Sequence, residues 1–299
     1  MPVTDTDKSR SLHLAEPLAA AAMFLALAFG SGAGNVTAQG VHIPPTLQAE
    51  DILKAGAKIY PDIKIEVNIP AMEMIVYENG APIMVNPVAI GSGVYPTPEQ
   101  ESEIKKIEWN PWWYPPPNAP WARGAKPTPP GPGNPLGRVK MPMSDAILFH
   151  GTNKDYSVGR PVSHGCMRMH NTDAAELGWF LQSRFSERTD PALRGVYRKN
   201  GGTTYVVQLE APVPVRLVYK PVIFRSGALF IYPDFYHKLP QKKAAVMDAL
   251  ASGGVGIDSI DEGKVDDIVK RWPAKAKRVS IDSLMRDAMA EEPNPSSNL

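Results

Sequence analysis

The sequence predicts a mainly β, β-sandwich-like domain with one short helix, followed by a small helical C-terminal extension. Three observations point there. From Ile63 apolar and polar residues alternate with a period of two. Turn dipeptides such as Asn79-Gly80 separate short apolar runs. After Tyr236 the spacing of apolar residues becomes helical and glycine and proline mark the ends of each run.

At the N-terminus, Lys8 and Arg10 precede Pro17 to Gly30, an apolar run of 14 residues that is short for a bilayer span. Val36, Thr37 and Ala38 supply the small residues of a signal-peptidase site, so residues 1–38 read as an export signal. An uncleaved anchor or a buried helix are the alternatives, and no other segment has the character of a membrane span. Residues 39–61 form a polar lead-in with one helical stretch, Leu47 to Ala57. Ile63, Ile65, Val67 and Ile69 alternate with Lys64, Glu66 and Asn68 as a half-buried strand. Met72 to Tyr77 and Pro82 to Ile90 flank Asn79-Gly80 as a hairpin, and Gly91-Ser92-Gly93 breaks its second strand.

Ten prolines lie between Pro111 and Pro135, which excludes a long helix or a central strand there. Four of the six tryptophans fall in or beside this loop: Trp109, Trp112, Trp113 and Trp121. Such rings either line a groove for an extended chain or a sugar, with Trp112, Trp113 and Trp121 as the candidates, or pin the loop to the domain. Ala146 to Phe149 is a short strand that delivers His150 at its end. Ser157 to Met169 is glycine-rich and irregular. Asp173 to Leu181 is helical, with Asp173 and Glu176 spaced as a capping box. Thr203 to Leu209 and Val213 to Val218 are strands. Val222 to Arg225 and Ala228 to Tyr232 form a hairpin about Ser226-Gly227. Gln241 to Ala251, Asp261 to Trp272 and Ser280 to Glu291 read as three helices, and the final PNPSSNL reads as a disordered tail.

Lys and Arg together number 32 against 31 Asp and Glu, with no basic stripe, so the charge gives no reason to expect a nucleic-acid partner. There is one cysteine, Cys166. In an oxidising compartment a cysteine without an internal partner is a buried inert thiol, an intermolecular link or a reactive group. Its neighbours favour reactivity. His150, His164 and His170 lie within one window, and Arg168 places a fixed positive charge two residues away. A thiol attacks as the thiolate and needs such a base or cation. Gly165 permits a sharp turn that leaves amides facing a developing oxyanion. His150 alternatively fits a hydrogen-bonded core histidine. His150, His164, Cys166 and His170 could also serve as zinc ligands, but their spacing is not a common zinc signature.

Phe149-His150-Gly151-Thr152-Asn153, with a twelve-residue gap from His150 to Ser163-His164-Gly165-Cys166 and then Arg168, resembles the L,D-transpeptidase catalytic domain, also called the YkuD domain, in its Gram-negative ErfK/YbiS-like branch. Pro129 to Gly137 (PPGPGNPLG), Trp112 to Pro117 and Pro212 to Tyr219 (PVPVRLVY) extend the resemblance to about residues 62–232. Gln100 and Met167 depart from the usual residues. The resemblance implies a catalytic domain over residues 62–236 and an extension over 237–299 that matches no named module. It implies that Cys166 is the nucleophile of a thioester acyl-enzyme and His150 its general base. Ser163 and His164 would shape the site, the Gly165 and Cys166 amides would be candidate oxyanion donors, and Arg168 would hold a substrate carboxylate or shape the pocket. No cofactor or metal is implied. The substrates would be peptidoglycan stem peptides as donor and acceptor, cross-linked through their third residues, or a protein lysine attached to the wall. An L,D-carboxypeptidase or hydrolase of the same acyl-enzyme is the alternative, and a non-catalytic wall-binding module a third. Acylation of Cys166 by carbapenems and a periplasmic or cell-envelope location, without membrane association after signal cleavage, complete the expectation.

Overall fold

The computed structural model describes residues 58–286, apart from Asp145 and Asn200. The export signal, the Leu47 to Ala57 stretch of the lead-in and the terminal tail lie outside the described residues. Strands β1 (Ile63–Asn68), β2 (Glu73–Glu78) and β3 (Ala81–Pro87) form an antiparallel meander. Its hairpin turns at Asn79 and Gly80, both with positive φ, the geometry that matches strand twist. The alternation in β1 is what buries Ile63, Ile65 and Val67 while Lys64 faces out.

Next come β4 (Ile90–Gly91), β5 (Gln100–Trp109), β6 (Val139–Pro142), β7 (Leu148–His150), β8 (Pro161–Ser163) and β9 (Met167–Arg168). Helix α1 (Asn171–Phe185), helix α2 (Ala192–Lys199) and β10 (Tyr205–Val218) follow. Eight strands build one mainly β sheet in the order β3-β2-β1-β10-β5-β6-β7-β9. It is antiparallel except for the β1–β10 and β7–β9 pairs. β4 and β8 pair separately, in parallel. α1 lays Ala174, Leu177, Leu181 and Phe185 into the core of this sheet.

Four features differ from expectation, each for a physical reason. β5 has no period-two signature, because Ile104 and Ile107 are both buried although they are three positions apart. The register slips opposite them, between Gln208 and Val213 of β10, and reverses the alternation. That irregularity contains Pro212, so the two expected strands at 203–218 are one bulged strand. α1 starts two residues before the expected capping box, and its N-cap, His170, makes no side-chain cap bond. β6 has only four residues, too few for a periodic pattern, and α2 is a short helix of eight residues interrupted by Gly195.

The next strands, β11 (Val222–Arg225) and β12 (Ala228–Ile231), form the expected hairpin. Helices α3 (Lys242–Ser252) and α4 (Glu262–Lys270) occupy the expected helical runs, and Asp261 caps α4 by accepting from the Lys264 amide. The expected third helix is replaced, over its described residues, by the end of β13 (Lys277–Ser280) and a 3-10 turn, Ile281–Leu284. β13 pairs with β12, which draws Arg278 and Val279 into extended backbone. A second core of Val222, Leu229, Ile231, Val246, Leu250, Ile260, Val265 and Leu284 therefore unites the hairpin with the extension. Between them, Phe235 and Tyr236 return to the first core. Among the described residues no helix is long and apolar enough to cross a membrane.

Candidate active site

The β7–β9 pair sets the site. Phe149 lies opposite Met167 and His150 opposite Arg168. Phe149 and Met167 are fully buried in the core. Alternation then turns His150, Arg168 and Cys166 toward the other face of the two strands. Lys140 of β6 lies opposite His150 in the same row and pairs with Glu108 of β5 at 2.9 Å.

Cys166 ends the tight loop between β8 and β9. Ser163 Oγ donates to the Cys166 carbonyl at 2.6 Å and accepts from the Gly165 amide at 3.1 Å, so one hydroxyl ties the loop together. Gly165 has φ +110°, a conformation closed to most side chains, and an added Cβ would meet Ile147 at 3.2 Å. The Gly165 amide is thus engaged with Ser163 and does not face an oxyanion as expected; of the two proposed donors the Cys166 amide is left. The Cys166 thiol is half-buried and donates to the Ala146 carbonyl at 3.4 Å. Burial pushes the thiol above its ordinary pKa and outweighs the Leu148 backbone and the Arg168 charge, which pull it down.

His150 is 5% exposed, and its Nδ1 lies 2.5 Å from the Gly151 carbonyl. A carbonyl oxygen only accepts, so Nδ1 carries the hydrogen and Nε2 presents its lone pair. Burial lowers the imidazole pKa to about 4; the Gly151 carbonyl opposes this and the Arg168 charge adds to it. At neutral pH the thiol is therefore protonated and the imidazole neutral, so the two groups form no standing ion pair.

The same burial links His150 to stability. Its folded pKa, about 4, lies below the unfolded value near 6.5, so the unfolded chain binds the extra proton in that window. Stability present above pH 6.5 is lost as pH falls toward 4, by about 3 kcal/mol. Urea denaturation of wild type and His150→Gln across this range is expected to show a steeper loss in wild type by that amount. Parallel curves would mean an imidazole that protonates freely.

His164 stacks under Trp121 at 3.9 Å with rings 15° apart and meets Tyr95 at 4.8 Å on another side. Its pKa is lowered by burial and then by Arg168. Trp121 brings the proline-rich loop over the cysteine loop. Trp112 stacks on Tyr114, and Trp113 pairs through its backbone with Thr128. Trp109 is a core residue, stacked on Tyr197 and donating to Gln182. The loop holds its shape around buried Asn134, whose amide nitrogen faces the carbonyls of Pro111, Thr128 and Pro129. Arg168 is half-buried with no carboxylate partner among the described residues, and burial, opposed by Cys166 and Tyr156, lowers its pKa. His170 faces Asp155 at 3.6 Å. The four candidate zinc ligands thus have separate partners, and among the described residues no such group gathers to hold a metal.

Three supporting residues escape sequence reasoning. Thr97 Oγ1 donates to the Gly165 carbonyl from 68 positions away. Tyr236 binds Gly91 and Thr97 across still longer separations. Neither leaves a local signal. Asn171 opens α1 directly after the motif, a position that could have drawn attention. Its side chain accepts from the Arg138 amide and donates to the Thr152 carbonyl, bracing the segment that follows His150.

A family model described as the L,D-transpeptidase catalytic domain, YkuD, matches residues 62–184. The chain is 31% identical over 151 residues to the putative L,D-transpeptidase YkuD of Bacillus subtilis strain 168, covering 47% of this chain and 78% of that one. It is 28% identical over 141 residues to the probable L,D-transpeptidase YbiS of Escherichia coli K12, covering 44% of each. It is 29% identical over 143 residues to the probable L,D-transpeptidase ErfK/SrfK of Salmonella typhimurium LT2, covering 45% of this chain. The match spans 44% of the length of the YbiS and ErfK/SrfK relatives.

Proposed function

Because the chain belongs to the L,D-transpeptidase family of the YkuD catalytic domain, we propose that it is a cysteine acyltransferase that cross-links peptidoglycan stem peptides. The observation that carries this reading is the His150 tautomer. The Nδ1–Gly151 bond leaves Nε2 as a proton acceptor on the strand beside Cys166.

In the first step Nε2 of His150 takes the thiol proton as Sγ attacks the carbonyl joining the third stem residue to D-alanine. The carbonyl oxygen gains the negative charge, and the Cys166 amide donates to it. The C–N bond then breaks, the imidazolium returns its proton to the departing amine, and D-alanine leaves a thioester on Cys166. In the second step a side-chain amine of another stem attacks the thioester. It loses a proton to His150, and Cys166 departs and regains its proton. The net exchange is one amide for another, which needs neither oxidant nor metal. Arg168, lacking a carboxylate partner among the described residues, is suited to grip a stem carboxylate. Ser163 and His164 shape the loop, and Trp121 covers one side of it. A wall substrate lies outside the cytoplasm. The apolar run and small residues of the first 38 positions fit export to the periplasm or cell envelope. Residues 62–236 carry the catalysis in this reading, and the extension that begins at 237 packs on the 222–231 hairpin.

Mass spectrometry of products from a purified disaccharide-tetrapeptide tests the reaction. A dimer joined through third residues, with one D-alanine released per link, is expected. D-alanine loss without a dimer would replace cross-linking by hydrolysis of the same thioester. A product only when a lysine-bearing wall protein is added would make that protein the acceptor.

A further inference from the structure

The segment joining the second core to the first carries Tyr236, and its hydroxyl reaches into the catalytic loop. Tyr236 OH donates to the Gly91 carbonyl at 2.6 Å and accepts from the Thr97 amide at 3.1 Å. Thr97, fully buried, accepts from the Gly91 amide at 2.8 Å and donates from the same hydroxyl to the Gly165 carbonyl at 2.8 Å. The tyrosine is held in turn. Its ring stacks on Tyr219, and its amide donates to Tyr219 OH, which donates to Asp234 at 2.7 Å. Gly91 has no room for a side chain, since a Cβ would sit 2.1 Å from the Tyr95 carbonyl.

The end of this relay is the informative part. The Gly165 carbonyl and the Cys166 N–H are the two ends of one trans peptide plane and point in opposite directions. Holding the oxygen fixes the direction of the hydrogen. Glycine before this plane has little steric resistance to rotating it, and the Gly165 φ of +110° shows that the backbone here uses that freedom. The Thr97 bond supplies the resistance that a side chain would otherwise provide. We propose that Tyr236, acting through Thr97, is a positioning residue that locks the Gly165–Cys166 peptide plane and aims the Cys166 amide at the oxyanion. The inference rests on the acyl-transfer reading of Cys166. It also gives the C-terminal module a role, because the segment that leads into α3 is the segment that carries the clamp.

A clamp on the oxyanion donor and a general brace of the loop predict different rate patterns. Acylation by imipenem passes through an oxyanion, whereas alkylation by iodoacetamide displaces iodide at a saturated carbon and does not. Both rates are measured by mass spectrometry on full-length wild type, Tyr236→Phe, Thr97→Val and Thr97→Ser, with circular dichroism melts to confirm folding. Loss of a direct oxyanion donor costs about 100-fold or more, so a loosened one is expected to slow acylation by about 10-fold in Tyr236→Phe and Thr97→Val. Alkylation should stay within about twofold in both, and Thr97→Ser, which keeps the hydroxyl, should acylate within about threefold of wild type. Acylation at the wild-type rate in both hydroxyl deletions overturns the proposal. So does an equal fall in acylation and alkylation, which would mean that the hydroxyls only hold the thiol in place. If Tyr236→Phe fails to fold, Thr97→Val against Thr97→Ser decides. An unmodified wild type would instead overturn the acyl-enzyme reading itself, and this inference with it.

Discussion

Cys166→Ala is expected to reduce transpeptidation below detection while leaving the fold in place. The two halves of that expectation have separate grounds. Without sulfur no thioester forms, and the covalent route has no substitute nucleophile in the loop. Ser163 is the nearest hydroxyl in sequence, but it is buried and bonded to both the Cys166 carbonyl and the Gly165 amide. The structural cost is small because the thiol is half-buried and makes one long bond to Ala146. A weak bond of that kind contributes about 1 kcal/mol or less. In a domain of this size such a loss moves the melting midpoint by about 2–4 °C. Tetrapeptide turnover, imipenem adduct mass and a thermal melt, recorded side by side, check both halves. Turnover retained by a folded Cys166→Ala would remove Cys166 from the mechanism.

Much of the site was legible because the chemistry is concentrated in a short stretch of chain. His150, Ser163, His164, Gly165, Cys166 and Arg168 lie within nineteen consecutive positions, and adjacent strands bring them together. What the sequence hid is the scaffolding of that stretch. Thr97 and Tyr236 act through bonds that skip 68 and 139 residues, and no local pattern encodes such a pairing. The Gly165 amide illustrates the opposite error. The residue type suggested a free donor, yet the Ser163 hydroxyl two residues earlier claims it.

The fold shows the same division. β1 and the Asn79-Gly80 hairpin could be read because alternation and turn chemistry are local rules. β5 is the longest unread strand, because a register slip in its neighbour breaks the alternation on which the reading depends. The end of the extension failed differently. Its helical spacing is overruled at Ser280 by pairing with β12, a tertiary contact whose partners lie 46 to 52 residues apart, from Ile231↔Lys277 to Ala228↔Ser280 in the register.

His150→Ala is expected to slow acylation by about 10²–10⁴-fold, the usual cost of losing a general base. The pH dependence carries more information than the size of the loss. In wild type the imidazole is neutral above about pH 4, so kcat/KM should fall on the acid side only as that value is approached. An ordinary histidine would bring the fall nearer pH 6.5. Without the imidazole, attack depends on thiolate formed by solvent, and burial holds the thiol above its ordinary pKa. The variant's rate should then climb about tenfold per pH unit through neutrality, since each unit multiplies the small thiolate fraction by ten. The gap to wild type narrows accordingly as pH rises. A variant with the flat wild-type profile and a wild-type rate would place the base elsewhere. A uniformly slower variant with an unchanged profile would give His150 the task of orienting the substrate or the cysteine loop. Only a rate that recovers with alkali identifies proton removal from Cys166 as the work of this side chain.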